Sequence, residues 1–210
     1  MNLTKLFDTQ RILDERIVRQ KGLEGRDLLP NKILALLVEL GELANEERSW
    51  KFWSNNQTAR NQDIECHACK GLGEFHSQTF SGVYHVDDKA EICLYCEGTG
   101  IQEKNPLIME YVDCLHFILS IGLAIRMEDV KPFSFKYENI TAQFIELFAD
   151  TARSYEAIGI WTVDDTENNY LDIFCGFIGL GEMLGFTWEQ IETAYFEKNA
   201  INHKRQDNGY

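Results

Sequence analysis

Apolar residues recur at helical spacing along most of the chain. From about residue 3 to 20, Leu3, Leu6, Phe7, Leu13 and Ile17 mark one face, while Gln10 and Asp14 lie a turn apart on another strip, which predicts a first amphipathic helix. After Gly22, Gly25 and Pro30, the stretch NKILALLVELGELANEERSWKFW is apolar on most faces, with Glu39, Glu42 and Glu46 at i, i+3 and i+7. This predicts a second, largely buried helix with an acidic stripe. Helical periodicity resumes after Asn105-Pro106, a proline well suited to a first helical position, and runs through LIMEYVDCLHFILSIGLAI. A fourth helix is predicted over ITAQFIELFADTARSYEAIG, and a fifth over YLDIFCGFIGLGEMLGF, whose glycines allow close packing. The last starts at Thr187, where Gln190 completes a capping-box pattern, and runs towards Arg205.

Between about 56 and 104 the texture changes to polar residues, glycines, paired cysteines and short β-prone runs such as TFSGVYHV. The pattern therefore predicts an all-α bundle of five or six helices, residues 1–55 and 105–210, interrupted by an inserted module at 56–104.

With 210 residues and a hydrophobic content of 44%, the chain can bury a core of its own. Twenty basic against 34 acidic residues give a net charge of −14, which argues against duplex nucleic acid as a partner. The same field repels a nucleotide triphosphate, so any phosphate-handling site needs bound cations and well-placed Lys or Arg. The opening MNLTKLFDTQ has neither a basic nor an apolar signal region, and no long uncharged apolar run suggests a membrane span, so a cytoplasmic location is expected.

Residues three apart on a helix share a face, so Glu39 with Glu42, and Glu110 with Asp113, can each aim two carboxylates at one point. Two such helices face to face would make a four-carboxylate cage suited to magnesium, a hard cation that keeps open positions for phosphate oxygens. Solvated helix faces carry the same spacing, and spacing alone leaves both readings open. The apolar surroundings, LALLVELGELA and LIMEYVDCLHFIL, favour desolvated carboxylates, which are costly to bury without a cation. A redox di-metal site would call for Glu-x-x-His; no glutamate of either pair is followed by His at that spacing, and His116, three after Asp113 and six after Glu110, is all that keeps that reading open.

Cys66-x-x-Cys69 and Cys93-x-x-Cys96 have the count and spacing of a tetrahedral Cys₄ zinc site, structural because protein fills every position. A redox dithiol or an iron–sulfur centre are the alternatives. Both pairs continue as CxGxG, a pattern similar to the zinc modules of J-domain chaperones. Nearby His67, His76 and His85 are expected at the surface, and Cys114 and Cys175 as buried thiols.

On the runs ELGELANEERSWKFW, EYVDCLHF and YFEKNAINHKRQDNGY, the chain resembles the dimeric all-α dUTPases, relatives of the MazG-type NTP pyrophosphatases, over about 1–55 and 105–210. The resemblance implies a homodimer that hydrolyses dUTP, with acceptance of dUDP left open, to dUMP and pyrophosphate through magnesium-activated water. It implies Mg²⁺ on Glu39, Glu42, Glu110 and Asp113, with Glu42 and Glu39 closest to the chemistry. It also implies Lys198 and Arg205 on phosphates and Asn202 on the deoxyribose hydroxyl, within a run that includes Asn199 and Gln206. Lys51, Trp53, His116 and Phe117 match its base-pocket elements, and Gln10 its uracil-reading glutamine. Asp14 departs from the family's asparagine, and a carboxylate cannot donate as an amide does. The alternatives are a pyrophosphatase for another nucleotide such as dCTP, and a zinc-dependent protein-interaction module on a helical scaffold.

Overall fold

A computed structural model of the chain describes residues 3–75, 91–156 and 162–209. Among them are six helices: α1 Leu3–Lys21, α2 Leu29–Glu47, α3 Pro106–Ile125, α4 Ile140–Glu156, α5 Val163–Met183 and α6 Trp188–Asp207. Four short strands, β1 Ile64–Glu65, β2 Glu74–Phe75, β3 Glu91–Ile92 and β4 Ile101–Glu103, pair antiparallel as β1 with β4 and β2 with β3. The chain falls into two compact units, Met1–Ala59 with Ile108–Tyr210, and Arg60–Leu107. The first is the all-α bundle the periodicity predicts.

Within the helical unit α4 packs on α2 and α5, and α1 on α6. Its core holds Phe7, Tyr111, Tyr170, Phe174, Phe177 and Tyr195, all fully buried. Burying a tyrosine ring is favourable when the hydroxyl finds an acceptor, and Tyr111 donates to the Phe177 carbonyl at 2.9 Å and Tyr170 to that of Ile118 at 3.0 Å. The α5 glycines permit the close packing expected of them: a Cβ at Gly179 would stand 1.8 Å from the Phe135 carbonyl oxygen, and one at Gly181 2.4 Å from the Tyr111 hydroxyl. Helix α3 is long and apolar enough by composition to cross a membrane, but 61% of that stretch is buried inside the fold, as in a core helix.

Two boundaries differ from the periodicity. Helix α2 stops at Glu47, because Arg48 turns left-handed at φ 69° and donates its N–H back to Ala44, so Lys51–Trp53 follow the helix as turns. Helix α5 begins at Val163, well before Tyr170, behind a capping box in which Thr162 and Asp165 bond reciprocally. The β-prone run TFSGVYHV, with His76 and His85, lies outside the described residues.

Candidate functional site

Glu39 and Glu42 from α2 and Glu110 from α3 place carboxylate oxygens within 4.8 Å of one another. Asp113, a turn beyond Glu110, is ion-paired with Lys198 of α6, both largely buried. Burial first, and then the charges of Asp113 and Glu42, push the Glu39 and Glu110 carboxyls up to about 7. Burial also raises Asp113, against the pull of Lys198. Anionic oxygens crowded this closely without a counterion hold protons instead. Three oxygen donors on two facing helices, with Glu42 exposed to solvent, fit a hard divalent cation that keeps part of its shell open.

Beside this trio lies a cavity of about 250 Å³. Its lining includes the carboxylates Glu39 and Asp113, Asn202, Arg205 and Gln206 of the last helix, the polar Gln10, Asp14, His116 and Ser120, and the apolar Leu13, Ile17 and Phe117. The cavity is thus bounded by carboxylates, a cation, amides and a mixture of polar and apolar side chains. His116 is buried, and its ring stacks on Tyr195 with centroids 4.2 Å apart and planes at 23°. Burial, with Lys198 nearby, drives its pKa down to about 3, so the imidazole is neutral. Its Nε2 is buried and has no hydrogen-bond partner.

The structure brings together Gln10, Asp14, Glu39, Asp113, His116, Phe117, Asn202 and Arg205 from the sequence-expected set, with Lys198 adjoining through Asp113. Lys51 and Trp53 are not among the cavity-lining residues. Lys51 donates to Asn45 at 2.9 Å, and Trp53 is 64% exposed, packing edge-on against Trp50 and Phe52. Lys32, Ser120 and Tyr195 join the site without having been singled out. Ser120 follows His116 by one helical turn, a spacing that could have been read, whereas nothing local marks Lys32.

The second unit is organised by its cysteines. The Sγ atoms of Cys66 and Cys93 are 3.8 Å apart, and those of Cys69 and Cys96 3.7 Å. A tetrahedron with zinc–sulfur bonds of about 2.3 Å has edges of about 3.8 Å, whereas a disulfide would need about 2.05 Å. The donor set is compatible with structural zinc. Its two loops mirror each other: Gly73 N–H donates to Cys69 Sγ and Gly100 N–H to Cys96 Sγ, each at 3.2 Å. Cys66 N–H reaches the Gly100 carbonyl at 2.8 Å and Cys93 N–H that of Gly73 at 2.9 Å. At Gly73 and Gly100, φ is +76° and +74°, and a Cβ would fall 2.4 and 2.3 Å from a facing carbonyl, so both positions require glycine. His67 sits at the surface, bonded to Gln102.

The helical unit thus carries a carboxylate trio beside a cavity lined by Glu39, Asp113 and Arg205 on an all-α scaffold. The sequence profile of a dUTPase family matches residues 2–70 and 97–210. With most of its length matched, the chain belongs to this all-α dUTPase family. No match was found among curated proteins or solved structures.

Proposed function

We propose that the chain is a dUTP diphosphatase, hydrolysing dUTP to dUMP and pyrophosphate. The observation that carries this reading is one cavity lined together by carboxylates, by Arg205 and Asn202, and by a neutral histidine with Phe117. Glu39, Glu42 and Glu110, with Asp113, would hold magnesium, which when bound supplies charge neutralisation and Lewis-acid assistance to phosphate chemistry. Arg205 and Lys198 bring the cations that a chain of net charge −14 needs in order to accept a triphosphate. Asn202 and Phe117 both line the cavity; in this reading Asn202 would take the sugar hydroxyl and Phe117 would give the base a ring face. Glu42, the exposed member of the trio, takes a proton from the attacking water.

Pyrophosphate release from a panel of deoxynucleoside triphosphates, with and without Mg²⁺, tests this. Turnover of dUTP well above the others, and only with the metal, is expected; equal rates across the panel would remove the base specificity. Glu42→Gln should lower kcat by roughly 10²–10⁴-fold, the range for loss of a general base.

The partner we assign to the helical unit is a second copy of itself. Leu34 and Val38 of α2 and Ile145 of α4 are more than half exposed, and Ile145 lines a largely apolar groove of about 420 Å³ together with Phe144, Phe148 and Trp50. This face fits the homodimer that the resemblance implies. Sedimentation should give the dimer mass, and Val38→Asp should shift it towards the monomer.

A further inference from the structure

The cavity contains a chain of hydrogen bonds in which each link fixes the direction of the next. Asp14 sits at its start, where Lys32 Nζ reaches Oδ2 at 3.0 Å and the Ser120 hydroxyl donates to the same oxygen. Lys32 also bonds the Ser120 carbonyl at 3.1 Å, which ties α2 to α3. A carboxylate paired with a lysine offers acceptors only. The atom of Gln10 that lies 2.8 Å from Asp14 Oδ1 is therefore its amide nitrogen. The Gln10 carbonyl oxygen must then point the other way, where it meets the Tyr195 hydroxyl at 2.9 Å and His116 Nδ1 at 2.6 Å. An oxygen can only accept, so in the neutral imidazole the single proton resides on Nδ1. Nε2, the buried and unpartnered atom of a cavity-lining side chain, is left with a lone pair and no proton.

We infer that Asp14, acting through Gln10, sets the tautomer of His116 so that the cavity presents a buried nitrogen acceptor, and that this acceptor selects bases carrying a ring N–H. The inference rests on the functional reading above and gives it a chemical basis for discriminating between bases. Uracil offers its N3–H to such an acceptor. Cytosine has a bare lone pair at N3, so two acceptors would face each other in a desolvated pocket, a mismatch that ordinary binding contacts do not offset. Asp14 is a positioning residue here, and touches no base itself. At this position the acidic side chain has a use that an amide lacks: an amide can turn over and present either donor or acceptor to Gln10, whereas a lysine-paired carboxylate cannot.

The first test needs no substrate. In ¹⁵N-resolved spectra of the unliganded protein, His116 should show a protonated Nδ1 and a bare Nε2, unchanged between pH 5 and 8, and titration with dUMP should perturb the Nε2 resonance. The second uses Asp14→Ala, which frees the Gln10 amide to rotate. The His116 tautomer should become mixed, and the preference in kcat/KM for dUTP over dCTP should drop about tenfold or more, mainly through KM for dUTP. A wild-type His116 protonated at Nε2 overturns the inference without any variant. So does an Asp14→Ala protein that keeps both the tautomer and the base preference. If the wild type hydrolyses no nucleotide while His116 shows the stated tautomer, the functional reading fails and takes the base selection with it, leaving only the hydrogen-bond relay.

Discussion

Gly41 and Gly179 each lie inside a helix, yet their surroundings differ. Nothing lies within 4 Å of a Cβ built at Gly41, whereas one at Gly179 would meet the Phe135 carbonyl at 1.8 Å. Gly41→Ala should therefore stabilise the isolated helical unit by about 0.5–1 kcal/mol, the usual gain from removing backbone freedom in a helix. Gly179→Ala should cost about 1–3 kcal/mol through displacement of the 135 segment. Urea denaturation of both variants checks the pair; a dimer that Gly41→Ala weakens would place that glycine inside the contact between copies. The sequence marks the α5 glycines for close packing, but the partner that Gly179 meets, the carbonyl of Phe135, comes from a distant loop and could not be read from it. The same holds at the site. Gln10 and Asp14 could be read as one strip of α1, but Lys32, which fixes the role of Asp14, arrives from α2 through packing.

At the level of elements, caps decide more than periodicity. The Thr187–Gln190 box at the start of α6 is visible in the sequence and is formed. The equivalent box at Thr162 and Asp165 was legible by the same rule, but it precedes a polar stretch, VDDTENN, where no apolar period draws the eye. Thr162→Ala should lower stability by about 1 kcal/mol, measured by thermal melting, with the loss confined to the first turn of α5. The opposite error occurred at α2, where apolar residues continue past Glu47 although the helix does not. Trp50 instead folds back, its Nε1 donating to the Ala44 carbonyl at 2.8 Å, and so carries Lys51 and Trp53 onto the end of α2. An aromatic run after a helix reads as further helix until such a back-bond is seen. The existence of both carboxylate-bearing helices, and the shared face of each acidic pair, was legible from the three-residue spacing, whereas the end of α2 was not.

For the molecule as a whole, the carboxylate trio makes stability depend on pH and metal together. Glu39 and Glu110 move from 4.5 to about 7 on folding, so the folded chain keeps protons that the unfolded chain has released, and stability falls as pH rises through 7. His116 acts in the opposite sense: its pKa drops from 6.5 to about 3, so its contribution is present above 6.5 and lost on acidification. Above pH 6.5 only the carboxylates' effect of these two is left. In a chelating buffer the melting temperature should be lower at pH 7.5 than at 6.5, and Mg²⁺ at about 100 times its Kd should restore about 2.7 kcal/mol at the higher pH. A melting curve indifferent to Mg²⁺ at pH 7.5 would contradict a cation site at the trio.

The cysteine unit obeys a different logic. Purified protein should carry one zinc per chain, and Cys69→Ser should abolish it, as read by metal analysis, because three thiolates and a hydroxyl do not complete the set. Its two loops close each other, with the Cys66 amide bound to Gly100 and the Cys93 amide to Gly73. Neither half is therefore a folding unit, although the profile match takes in Cys66 and Cys69 and leaves Cys93 and Cys96 in its gap. Such a device is indivisible in heredity as well: a lineage that drops either loop forfeits the other, so relatives of this chain should carry all four cysteines or none.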